Sequence, residues 1–177
     1  MRDAVLLRGV NVGGRNKIAI ADLRQILTDL GYGDVKTHLQ SGNAVLSADQ
    51  GPDELAGGIG TAIAARTGLK CAVMIRTGGE LDEVVAGNPL GHEPENPSRF
   101  FVAFLSAVPG KAAAAALANQ DFGQDQAWLS GRHVYSWVPA GLANTKLTYA
   151  FLEKQLGVVA TARNWNTVRK LAELTAD

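Results

Sequence analysis

Ala4-Val5-Leu6-Leu7-Arg8-Gly9-Val10-Asn11-Val12-Gly13-Gly14-Arg15-Asn16-Lys17 is an apolar run that breaks into a polar, glycine-bearing loop. Ala4 to Val10 is short and rich in Val and Leu, the pattern of a buried strand. Arg8 stands near its end, the loop carries Arg15 and Lys17, and no acidic residue intervenes before Asp22. Beyond the loop, Leu23, Ile26, Leu27 and Leu30 recur at helical spacing and Gly31 stands where a C-terminal cap belongs.

Two short strands come next, Val35 to Gln40 and Ala44 to Ala48, around the turn Gln40-Ser41-Gly42-Asn43, where Gly and Asn tolerate positive φ. Pro52 opens a helix with Leu55, Ile59 and Ile63 four apart. Gly57, Gly58 and Gly60 each weaken it by about 1 kcal/mol relative to Ala, so it relies on packing, and they leave room for close approach to a sheet. Lys70 to Arg76 is a fourth strand, and Leu81, Val84 and Val85 mark a short helix. The order β-α-β-β-α-β, then α, is the ferredoxin-like, split βαβ order.

Gly87 to Ser98 reads as a linker punctuated by Asn-Pro and Glu-Pro steps. The order then repeats: a strand at Phe100 to Val108, an alanine-rich helix at Lys111 to Ala118, and strands Gln126 to Ser130 and His133 to Val138 around Gly131-Arg132. A helix from Thr145 to Leu156 ends at Gly157, a strand runs from Val158 to Arg163, and Asn166 caps a last helix carrying Val168, Leu171 and Leu174. Both hairpins turn at Ser-Gly, and both fourth strands end at an arginine, Arg76 or Arg163. The expectation is an α+β chain of two βαββαβ-α units, residues 1–90 and 91–177, with antiparallel sheets, helices on one face, and a duplication as one origin of the second unit.

The 177 residues are 46% apolar, enough for a core, and the apolar runs are too short to span a bilayer. Seventeen basic residues balance seventeen acidic ones, which excludes a general polyanion-coating role and leaves only a local patch for nucleic acid. The single Cys71, in an apolar run, reads as a core thiol. With a strand beginning almost at Met1 and no basic-apolar leader, the expected compartment is the cytoplasm.

Three motifs resemble one family. Leu7 to Ile18 is similar to its N-terminal signature, Gln40-Ser41-Gly42-Asn43 to its second motif, and Thr161-Ala162-Arg163-Asn164-Trp165-Asn166-Thr167 to its C-terminal one. The family is the bacterial Domain of Unknown Function 1697. Ala19 stands where the family commonly has proline and Arg15 where it has lysine. The resemblance implies a soluble α+β protein with a ferredoxin-like first part, and no activity.

The split βαβ topology sets the loop after the first strand beside the turn after the second. Asn11, Arg15, Asn16 and Lys17 should therefore neighbour Gln40 and Asn43. By the same logic Pro139 to Lys146 approaches Arg163, Asn164 and Asn166. Each edge then gathers amides, a cation and a helix N-terminus, where exposed N–H groups and the helix dipole favour an anion. A cation placed there unaided costs about 0.3–1 kcal/mol, and a bound anion reverses the sign. The alternatives are that Lys17, Lys146 and Arg163 extend into screening solvent, that Arg8 pairs with a backbone carbonyl or Asp3 and Arg163 with an acidic partner such as Glu173, and that Gly13-Gly14 serves only a tight turn. No P-loop or dinucleotide fingerprint occurs, Ser41 and Ser130 sit in hairpin turns, and His38, His92 and His133 lack metal-ligand spacing. No catalytic residue and no cofactor is assigned.

His133, Tyr135 and Trp137 alternate on one face of a strand, with Phe101 able to join them and Val134 and Val138 facing the helices. Burial between units or in a homodimer is the expected fate, with base stacking or a small-molecule pocket as alternatives. The favoured reading is a protein, binding or enzymatic, for a phosphate-bearing small molecule, nucleotide or nucleic-acid strand, held by Arg8, Asn11, Arg15, Asn16, Lys17, Gln40, Asn43, Lys146, Arg163, Asn164 and Asn166. The second reading is a protein–protein interaction module whose polar motifs only fix loops. Membranes take no part in either.

Overall fold

The computed structural model describes residues 1–176 and divides into two compact units. The first comprises Met1–Glu83 with the C-terminal residues from Leu171, and the second Val84–Lys170.

In the first unit, strands β1 (Arg2–Leu7), β2 (Gly33–His38), β3 (Asn43–Ser47) and β4 (Val73–Thr77) form an antiparallel sheet in the order β2-β3-β1-β4. β1 is central, pairing Ala4 with Val45 on one side and Arg76 on the other. Ala4 to Leu7 are all fully buried, so β1 is covered on both faces, which explains its unbroken apolar run. Helices α1 (Ile20–Asp29) and α2 (Pro52–Thr67) cover one face. Their buried stripes, Leu23, Ile26 and Leu27 and then Leu55, Ile59 and Ile63, close on Val5, Leu7, Leu46 and Ile75. Each of these large side chains contributes about 1.5–3 kcal/mol by leaving water. Helix α3 (Gly78–Ala86) comes after β4, and Glu80 caps it by accepting the N–H of Thr77.

The α2 glycines do not serve close packing. A Cβ at Gly57 would meet nothing within 4 Å, and one at Gly60 would lie in ordinary contact, 3.7 Å from Val73 Cγ2. Gly57→Ala should therefore stabilise the first unit by about 0.5–1 kcal/mol in a denaturant melt. A loss of stability would mean that the backbone at Gly57 is needed for something other than the helix.

The second unit repeats the plan. Strands β5 (Phe100–Leu105), β6 (Gln126–Ser130), β7 (His133–Trp137) and β8 (Ala160–Asn164) run in the order β6-β7-β5-β8. Helices α4 (Lys111–Ala118) and α5 (Tyr149–Leu156) lie over the face that carries Ala103, Leu105, Val134 and Val138. Helix α6 (Trp165–Thr175) closes the chain.

Several boundaries differ from the expectation. β1 ends at Leu7 rather than Val10, because Gly9 turns the chain at φ +67°. β5 stops at Leu105 rather than Val108, and β4 and β8 start later than expected, at Val73 and Ala160. In the first hairpin the positive φ values belong to Leu39 and Gly42, while Asn43 already lies in β3. α5 begins after Thr148, whose hydroxyl accepts the N–H of Phe151 (3.1 Å). Thr145 instead accepts the N–H of Leu147 and donates to Asp125. The last helix is capped by Asn164, which accepts the N–H of Thr167 (3.0 Å), and Asn166 falls inside it.

Trp137 is half-buried and Tyr135 only 2% exposed, but the ring partners of Tyr135 and the acceptor of its hydroxyl lie in its own unit and not between units. Its stacking partner is Phe100 rather than Phe101, with centroids 6.0 Å apart and planes 10° from parallel. Trp165 packs on Phe100 in turn, and the Tyr135 hydroxyl donates to Val84 O (2.6 Å). Burial pushes that phenol up to about 12. Phe101 pairs with Ser136 in register and packs on the helix side. With Tyr135 covered, this ring has no open face for a base.

Candidate functional site

The 11–16 loop is a miniature hairpin. Asn11 N–H donates to Asn16 O (3.1 Å) and Arg15 N–H to Val12 O (3.0 Å). Gly13 and Gly14, at φ +57° and +74°, occupy its tip, as a turn with two left-handed central residues requires. Asn11 and Asn16 are left-handed too, at +55° and +51°, a region asparagine tolerates better than other side chains. The asparagines of this motif thus have a backbone reason before any functional one.

Their amides are also engaged. The Asn11 side chain accepts the Ile18 N–H (3.0 Å) and donates to Ile18 O (2.9 Å) and to Gln40 O. It joins the two motifs that the topology brings to one end of the sheet. Asn16 donates to Gly9 O, and the fully buried Asn43 donates to His38 O and Ser41 Oγ. Leu7 N–H donates to Gly42 O, tying the hairpin turn to the end of β1.

Between these motifs and α1 lies an open depression of about 520 Å³, lined by Asn11, Gly14, Lys17, Ile18, Ala19, Ile20 and Gln40. α1 has Ala19 at its N-cap and no side chain caps it, so the first-turn N–H groups lack side-chain acceptors. Arg15, Lys17 and Gln40 are exposed, and Asp22 is an exposed acid in the first turn of the helix. Arg8 is half-buried at the end of β1, with its N–H on Ala72 O.

The second edge is different. The ends of β7 and β8 flank the start of β5, through the pairs Phe100–Trp137 and Phe101–Asn164. They share an end of the sheet with one strand between them. Arg163 is only 6% exposed and donates to Thr161 Oγ1 (2.7 Å) and Ala162 O (2.9 Å). Desolvation pulls its guanidinium down to about 10. Arg76, at the corresponding place in β4, is 3% exposed and likewise donates to the carbonyl of the residue before it, Ile75. Lys146 lies outside α5, and it and Asn166 are exposed. Asn164 is occupied as the helix cap.

The sequence reading missed the buried state of the two strand arginines; their shared position at the end of a fourth strand was the available signal. It also missed Arg99, whose guanidinium lies over Gly141 and would have to move for a Cβ there. Among the described residues no group of three or more His, Cys, Asp or Glu side chains is placed to hold a metal ion. No helix among them is long and apolar enough to cross a membrane.

No curated protein matches the chain. Among solved structures, the conserved bacterial protein SP0830 from Streptococcus pneumoniae is similar across 99% of this chain and 98% of its own, with a TM-score of 0.74 and 20% identity. That identity supports the shared fold alone. The model of a protein family of unknown function, DUF1697, matches residues 1–135, which include the Leu7–Ile18 and Gln40–Asn43 motifs and stop short of the third, Thr161 to Thr167. The chain belongs to the DUF1697 family.

Proposed function

We propose that the first unit binds a phosphate-bearing ligand, a nucleotide or a nucleic-acid strand, in the depression between the 11–17 loop, Gln40 and the start of α1. The observation that carries this reading is the coincidence of exposed Lys17 and Gln40 with a helix N-terminus that no side chain caps. Free N–H groups and the helix dipole attract an anion there, and Lys17 and Arg15 add charge. Asn11 is the scaffold that holds the loop against Gln40. Lys146 and Asn166 remain candidates for a separate contact in the second unit, and Arg8 for one at the rim. The half-buried thiol of Cys71 fits a reducing compartment, and we place the protein in the cytoplasm.

Phosphate, a mononucleotide or a short oligonucleotide should raise the melting temperature at low ionic strength. Lys17→Ala should weaken binding about ten- to a hundredfold, the worth of one charge-assisted contact, with the unliganded fold unchanged. A multi-phosphate strand should lose affinity with salt more steeply than a nucleotide. No response to any of these anions would remove the proposal. The second reading, an interaction module with structural motifs, is favoured by the amides of Asn11, Asn16 and Asn43, all spent on backbone carbonyls. It would take over in that case.

A further inference from the structure

The helix face of the second sheet encloses a small cavity. Its volume is about 130 Å³, and Phe101, Ala103, Leu147, Leu152 and Ala162 form most of its wall. Exposed Leu142 stands at its mouth. No charged side chain lines it.

The cavity has a cause that the two units reveal when aligned on their arginines. Arg76 pairs with Ala4, and the next pair inward is Val5–Ile75. Arg163 pairs with Val102, and the next pair inward is Ala103–Ala162. Two branched side chains that fill the first unit's core are thus replaced by two methyl groups in the second. The overlying helix is also shorter, eight residues in α5 against sixteen in α2. Space is left between the sheet and the start of α5.

One hydroxyl in its wall has no partner. Ser136 is 3% exposed and lines the cavity. No hydrogen bond of its hydroxyl is found among the described residues, whereas every fully enclosed side-chain oxygen or nitrogen among them has a partner. The Ser136 Oγ is therefore open to the cavity. Two other hydroxyl-bearing residues, Thr148 and Tyr149, line the cavity, and both are engaged, Thr148 as the cap of α5. A buried hydroxyl without a partner is costly, and an apolar cavity of about 150 Å³ accepts a benzene ring.

We propose that this cavity binds a small neutral molecule: a single ring with one hydrogen-bonding atom directed at Ser136. An ion is excluded because it would lose its water with no countercharge in the wall. A larger apolar group is excluded by volume. This site is separate from the depression of the first unit and does not depend on it.

Phenol and benzene are the probes, titrated into the full chain and followed through methyl NMR signals. Saturable shifts confined to Ala103, Leu147, Leu152 and Ala162 are expected, with phenol the tighter ligand. Ser136→Ala should weaken phenol about three- to tenfold and leave benzene unchanged. Ala103→Val with Ala162→Ile, which restores the first unit's pair, should abolish both. Absence of saturable shifts with both probes overturns the proposal, as does undiminished binding in the filled variant. Should that variant fold poorly, Ser136→Ala decides: a phenol preference that survives it also overturns the proposal.

Discussion

Gly42→Ala should destabilise the first unit by about 3 kcal/mol or more, among the largest effects of any single methyl group in this chain. Two causes add. Gly42 sits at φ +80°, where a side chain costs about 1–2 kcal/mol. A Cβ there would also run into the Val10 side chain and lie 2.9 Å from Leu7 Cβ, and both of those residues are core. Leu7 cannot retreat cheaply because its N–H is held by Gly42 O itself, and Val10 is packed at 1% exposure. Gly13→Ala is the control. Its φ is +57°, but a Cβ there meets nothing within 4 Å, so only the conformational cost of about 1 kcal/mol should appear. Denaturant midpoints of the two variants measure the difference. Equal losses would show that the contact with Val10 and Leu7 relaxes and that Gly42 serves only its turn.

Arg163→Ala should cost a similar amount, about 3 kcal/mol, for a different reason. The guanidinium is buried and donates to Thr161 Oγ1 and Ala162 O, so truncation leaves acceptors unsatisfied and opens a void. Arg163→Lys should recover only part of the loss, since an ammonium lacks the planar fork and is harder to desolvate. Equilibrium unfolding gives the stability of each variant. A nucleotide or phosphate titration of the same proteins gives the second readout, which should be unchanged wherever the fold survives. If Arg163→Ala were as stable as the parent and lost its anion response, the arginine would be a ligand contact and not a structural one.

The element order was legible because each element carries its own period. Leu55, Ile59 and Ile63 repeat every four residues, and all three are buried. The run from Ala4 to Leu7 is apolar without alternation, and it is the central strand. From that order alone it followed that the Asn11 loop meets the Gln40 turn, and the Asn11–Gln40 hydrogen bond joins them. The misreadings have equally local causes. Phe100-Phe101-Val102-Ala103-Phe104-Leu105 is apolar at every position, so nothing in it marks which parity faces the helices, and a one-residue slip exchanges the faces. Thr145 and Thr148 are equally good caps by type, as are Asn164 and Asn166. Which one acts depends on where the preceding loop or strand releases the chain.

The sequence by itself determined the two βαββαβ-α units and the place of the first-unit motifs at one end of a sheet. These rest on spacing along the chain and on short-range backbone preference. Tertiary structure alone decided that Arg163 is enclosed while Lys17 is exposed, that the motif asparagines are spent on carbonyls, and that Ala103 and Ala162 stand side by side over an unfilled space. Ala103 meets Ala162, and Asn11 meets Gln40, across tens of residues, while the other asparagine bonds span seven residues or fewer but form only in the folded loop geometry. Burial and hydrogen-bond satisfaction are properties of that folded arrangement, and no local pattern of residues carries them.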